Sequence, residues 1–142
     1  SEMCIRDRYP GVPTVIENVI EEDKFSVAGF TIEPIKVLHG PLPILGYLID
    51  DKIAYLTDVK TIPTESLEKL RGVEVLIISA LRVEQEHFSH ILLDEAIRYS
   101  DLIGAKQTYF THISHHLGFH DEVEEKLPKG KHLAYDTLEI IL

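Results

Sequence analysis

Cysteine is almost missing from this sequence: Cys4 is the only one in 142 residues. That excludes an internal disulfide framework and any zinc site built on several thiolates. Basic residues are also scarce, 14 Lys and Arg against 24 Asp and Glu, for a formal net charge of −10. An acidic surface repels phosphate backbones, which disfavours diffuse nucleic-acid binding. A small anionic substrate remains admissible where bound cations reverse the field inside a cleft. No apolar run approaches the ~20 residues needed to cross a bilayer, and no signal-peptide pattern opens the chain. The expectation is a soluble, cytoplasmic protein that contacts no membrane. Repeats, linkers and low-complexity tracts are missing too, so the length implies one domain.

What is present is a substantial apolar fraction, 44%, enough to form a core without staples. Histidine stands out: there are eight, and five of them lie between His87 and His116. The first eight residues, 1–8, read as a non-native N-terminal remnant, with the native chain running from Tyr9 and continuing upstream of it. An ordinary frayed terminus is the alternative.

Strand patterns dominate. Val15 to Ile20 and Phe25 to Val27 are short candidates, and Phe30 to Leu38 alternates apolar and polar with period two. Ile44 to Ile49 and Ile53 to Thr57 flank Asp50-Asp51-Lys52 as a hairpin. Pro63 to Leu70 predicts a short helix stopped by Gly72. Val73 to Ser79 is almost continuously apolar, the pattern of a strand covered on both faces. Ile91 to Ile103 is the clearest helix, with Gly104 just past its end. Lys106 to Thr111 predicts a strand, and His120 to Leu127 an acidic helix closed by Pro128. Lys131 to Tyr135 and Leu138 to Leu142 predict two last strands. That order suits an α/β architecture in which a sheet packs against outer helices.

Reactive groups sit on loops at the carboxyl ends of rigid strands. His39, Asp58 and His112 each follow a predicted strand, and His90 lies in the connection after Val73–Ser79. Imidazole and carboxylate together form the ligand set for zinc, manganese or iron. Each residue also has a plainer reading. His39 before Gly40-Pro41 can be a turn histidine, and Asp58 an N-cap or Asx turn. His87 and His90 can be solvated, and His112, His115 and His116 can form a cluster of their own given a helical turn. His120 and His132 are expected on the surface, and Tyr135-Asp136 can be a simple turn.

Taken in order, Leu38-His39-Gly40, Leu45-Gly46-Tyr47, Ala54 to Asp58, Leu76 to Arg82 and His87-Phe88-Ser89-His90 resemble metallo-β-lactamase-fold hydrolases. The likeness is nearest to the group that includes the cyclic phosphodiesterases of phosphonate breakdown. Thr111 to His116 and Ala134-Tyr135-Asp136 continue it, so it covers residues 9–142. The resemblance implies a metallo-β-lactamase-type αββα sandwich, here its second half, and a metal-dependent hydrolase using a metal-bridging hydroxide. It implies two divalent metal ions (Zn, Mn or Fe). His39 would complete the first metal site, Asp58 bridge both metals, and His112 bind the second. His90 would contact phosphate or protonate the leaving oxygen. His115 would at most support the ligands from behind, and His87 receives no role.

Two departures qualify these expectations. The family's His-x-His-x-Asp-His signature is absent from this chain, and Thr137 stands where glycine usually follows Ala-Tyr-Asp. With two matched ligands per metal, binding is expected to be weak or partial and hydrolysis slight, since catalytic zinc takes about three protein ligands. A half-sandwich would expose apolar surface and self-associate, with a homodimer as one form. Two other functions stay open: a non-catalytic binding or scaffold domain, and a thioester or lactam hydrolase of the same superfamily.

Overall fold

The computed structural model describes residues 19–20 and 23–141. Seven strands form one sheet in sequence order: β1 (Phe25–Val27), β2 (Phe30–His39), β3 (Leu42–Ile49), β4 (Ile53–Leu56), β5 (Val75–Ser79), β6 (Gln107–Thr111) and β7 (Lys131–Leu133). Strands β1 to β4 are antiparallel neighbours joined by short turns. From β4 onward the pairing is parallel, so each connection must cross back over the sheet. Helices α1 (Thr64–Lys69) and α2 (Leu93–Ile103) lie in the first two crossovers, and α3 (His120–Glu124) in the third.

The register explains which residues make the core. Paired residues share a face, and Ile35, Val37, Leu48, Ala54, Leu56, Leu76, Ile78, Phe110 and Leu133 all fall on one of them. Each is at most 4% exposed. Thr108 on that face is bonded to Ser100 of α2, Oγ1 to Oγ at 2.7 Å, so this is the side the helices cover. A buried hydroxyl pair of this kind satisfies both groups away from water. Helix α2 turns Leu93, Ala96, Ser100 and Ile103 inward and ends at Gly104 with φ 70°, a left-handed cap that glycine adopts without steric cost.

The hairpin between β3 and β4 is built by Asp50 and Asp51, at φ 50° and 55°, with Lys52 N donating to the Ile49 carbonyl at 2.9 Å. Two successive positive φ values match the hairpin turn whose twist fits the flanking strands. Two sequence expectations change, and a third lies largely outside what can be compared. The strand predicted over Val15 to Ile20 falls largely outside the described residues, and Val19 and Ile20 carry no strand. No strand forms over Leu138 to Ile141, and Leu142 lies outside the described residues. There the chain turns at Thr137, φ 73°, with Leu138 N donating to Tyr135 O at 3.1 Å, which breaks the extended path away from edge strand β7. The last strand also stops at Leu133, short of Tyr135. No helix among the described residues is long and apolar enough to cross a membrane.

Candidate metal centre

β2 ends at His39, and Gly40-Pro41 returns the chain into β3. Beyond β4 the chain runs back across the carboxyl edge of the sheet before entering α1. Leu38 N donates to Thr61 O at 2.9 Å and Lys60 N to Leu38 O at 2.6 Å, and this crossing carries Asp58 to the end of β2. Ile91 N donates to Val59 O at 3.1 Å, which draws the segment of His90 onto the same loop. His112 arrives directly from the end of β6. Asp58 and His112 both have left-handed backbones, φ 57° and 56°, a conformation that costs a non-glycine residue roughly 1–2 kcal/mol. The surrounding hydrogen bonds hold that strain in place.

These segments bring His39, Asp58, His90 and His112 together. His39 Nδ1 lies 2.8 Å from the Asp58 carbonyl oxygen. An acceptor there requires the proton on Nδ1, so Nε2 keeps its lone pair, as in histidines oriented for metal binding. Asp58 Oδ1 is 3.5 Å from His112 Nδ1 and 3.9 Å from His90 Nδ1. The His90 ring stands at the centre, 4.6 Å from His39, 4.8 Å from His112 and 4.9 Å from His87 between centroids.

Asp58, His90 and His112 present one donor atom each, all within 4.8 Å of one another. His90 Nδ1 is buried and has no hydrogen-bond partner among the described residues, which is costly unless something else satisfies it. Burial, then the neighbouring His112, His39 and His87, push the His90 pKa below its ordinary value, with Asp58 pulling the other way. A neutral imidazole results, the form that coordinates a cation. One carboxylate and two imidazoles match the three-ligand set of catalytic zinc, whose tetrahedral bonds set donor separations of about 3.3 Å. The two Asp58–histidine spacings need little contraction to meet that. The donor set fits a borderline divalent cation.

The other histidines divide differently from the sequence expectation. His87 joins the cluster: its ring faces His90, and its Nδ1 accepts from Ser89 N at 3.4 Å. The only sequence signal for this was the spacing of three from His90. His115 and His116 are exposed and their rings lie 3.9 Å apart at a tilt of 41°, outside the donor group of Asp58, His90 and His112. His120 is exposed beside Asp121. His132, expected on the surface, keeps 40% of its side chain exposed and lies between Glu124 Oε1 at 2.8 Å and Gln107 Oε1 at 3.2 Å. Tyr135 and Asp136 are exposed at the closing turn.

Residues 4–113 match the family described as the beta-lactamase superfamily domain. The chain belongs to this family. The matched span contains His39, Asp58, His90 and His112, and the fold is that of the metallo-β-lactamase hydrolases. A solved diphosphatase of the PhnP family is 39% identical, with a TM-score of 0.80 over 85% of this chain and 46% of its own. The YhfI protein of Bacillus subtilis, a metallo-β-lactamase-fold protein, shares the fold at 20% identity and a TM-score of 0.67, covering 82% of this chain and 52% of its own. A Porphyromonas gingivalis protein named an octanoyltransferase is 41% identical over 138 residues, which is 96% of this chain and 28% of that protein. The chain thus spans less than half the length of the diphosphatase and under a third of the octanoyltransferase.

Proposed function

We propose that the chain carries the cation-binding and substrate-facing residues of a metal-dependent hydrolase acting on small anionic phosphoesters. The observation that carries this reading is the convergence of Asp58 Oδ1, His90 Nδ1 and His112 Nδ1, with the buried His90 nitrogen lacking a hydrogen-bond partner among the described residues. The similarity to a PhnP-family diphosphatase supports phosphoester chemistry over other hydrolyses. Asp58 and His112 would hold the ion, and His90 would supply the third donor. A divalent cation in such a site supplies Lewis acidity and lowers the pKa of water. His39, bonded to the Asp58 backbone, fixes the loop that presents the carboxylate and offers Nε2 to the same region.

This use of His90 differs from the proton-donor role that the resemblance implies. A group whose pKa is held below the ordinary histidine value is mostly unprotonated at neutral pH, which suits a ligand better than an acid. Elemental analysis of Asp58→Ala, His112→Ala and His90→Ala after zinc loading tests the assignment. All three are expected to lose bound zinc. Zinc retained by Asp58→Ala would overturn the reading. Zinc retained by His90→Ala together with lost turnover would return His90 to the proton-donor role.

The identity to a protein named an octanoyltransferase favours a second reading, an acyl-directed activity such as thioester hydrolysis. Parallel assays with bis(4-nitrophenyl) phosphate and an octanoyl thioester on the zinc-loaded protein separate the two. Turnover of the thioester alone would replace the phosphoester reading.

A further inference from the structure

His87 has no place in the donor group of Asp58, His90 and His112, yet the fold holds it firmly against that group. Its ring is 4.9 Å from His90, and His87 is half-buried, with exposed residues 83–86 and Phe88 on either side of it in the chain. Ser89 selects its tautomer. The Ser89 backbone N–H donates to His87 Nδ1 at 3.4 Å, and Ser89 Oγ lies 3.2 Å from the same nitrogen. With Nδ1 occupied as an acceptor, the single proton of the neutral ring resides on Nε2.

The neighbouring residue anchors the segment. Phe88 folds over the β2–β3 turn so closely that a Cβ at Gly40 would lie 3.3 Å from both its ring and its carbonyl oxygen. On the far side, Ser89 is buried. His87 is therefore a preset N–H donor at the rim of a centre built to hold a cation. A cation site attracts anions, and a rim donor beside it is placed to accept one of their oxygens.

We propose that His87 binds substrate directly, its Nε2–H donating to an anionic oxygen of a phosphoryl group held at the Asp58–His90–His112 centre. This rests on the metal-dependent phosphoester reading above. It makes His87 a substrate-contacting residue and not a metal ligand, which separates it from the three donors in a way that can be measured.

The test is calorimetric titration of the chain with zinc, then of the zinc-loaded chain with inorganic phosphate, for wild type, His87→Ala and His87→Gln. Circular dichroism on each variant confirms that it is folded. His87→Ala is expected to take up zinc with unchanged stoichiometry and affinity, and to bind phosphate roughly tenfold or more weakly, the loss expected of a hydrogen bond to a charged group. Glutamine places an amide N–H near the lost Nε2–H, so His87→Gln is expected to recover most of the phosphate affinity. Equal phosphate binding by wild type and His87→Ala overturns the proposal, as does loss of zinc from His87→Ala, which would make His87 a ligand. Zinc uptake by wild type with no phosphate binding also overturns it while leaving the metal centre standing. Failure of wild type to bind zinc at all removes the metal-dependent reading, and this proposal with it.

Discussion

At Asp58 backbone and side chain serve different neighbours. The carbonyl oxygen accepts from His39 Nδ1 at 2.8 Å, while Oδ1 faces His112 and His90. A left-handed φ of 57° makes this division geometrically available, and aspartate tolerates that region better than most residues. His90 is the other informative position, because its proton balance reports on folding. Its folded pKa lies below the ordinary value of 6.5, so between those two values the unfolded chain binds a proton that the folded chain refuses. Stability of the metal-free protein should therefore fall as pH drops through about 6.5 and level off below the folded value. Chemical denaturation in chelator across that range checks it, and His90→Gln should flatten that part of the profile. A wild-type profile that rises towards acid would contradict the neutral assignment.

Among the elements, β2 and β3 carry the longest pairing, and Gly46 of β3 packs tightly against β4. A Cβ there would collide with the Leu56 side chain and stand 3.0 Å from the Tyr55 carbonyl oxygen. Gly46→Ala should cost roughly 1–3 kcal/mol, the usual range for forcing atoms into a packed interior. Urea unfolding measures this, and an unchanged midpoint would mean the strands yield more easily than their spacing implies. Helix α2 is tied to the loop of Asp58 through Glu95. Its carboxylate accepts from Leu92 N at 2.8 Å and from Lys60 Nζ at 3.1 Å. An acid in the first helical turn also favours the helix dipole. Much at this scale was legible beforehand. The apolar run at 75–78 marked strand β5, though helices cover only its Leu76 and Ile78 face and leave Ile77 half-buried, and Gly104 marked the end of α2. Leu138 to Ile141 misled because a short alternating run looks the same with or without a neighbouring strand to pair with.

For the whole molecule, strand-end placement made His39, Asp58, His90 and His112 recognisable as a group, since β2, β4, β5 and β6 run the same way and bring their carboxyl ends to one edge. What the sequence could not convey was the crossing of residues 57–61 onto Leu38, a backbone pairing with no side-chain signature, or the capture of His87 by Ser89. The sheet's second face carries Leu45, Tyr47, Ile49, Ile53, Ile77 and Tyr109 half-buried, and Tyr55 at 42% exposure. A contiguous apolar face of this kind drives association. Sedimentation velocity should show concentration-dependent self-association that Tyr55→Lys weakens, and a monomer at all concentrations would contradict it.

The central claim is that three donors from three connections hold one cation. Anomalous diffraction at the zinc edge, from crystals grown with zinc, tests it most directly. The account predicts a peak bounded by Asp58 Oδ1, His90 Nδ1 and His112 Nδ1. A zinc peak at His115 and His116 instead, or no peak beside Asp58, would contradict it.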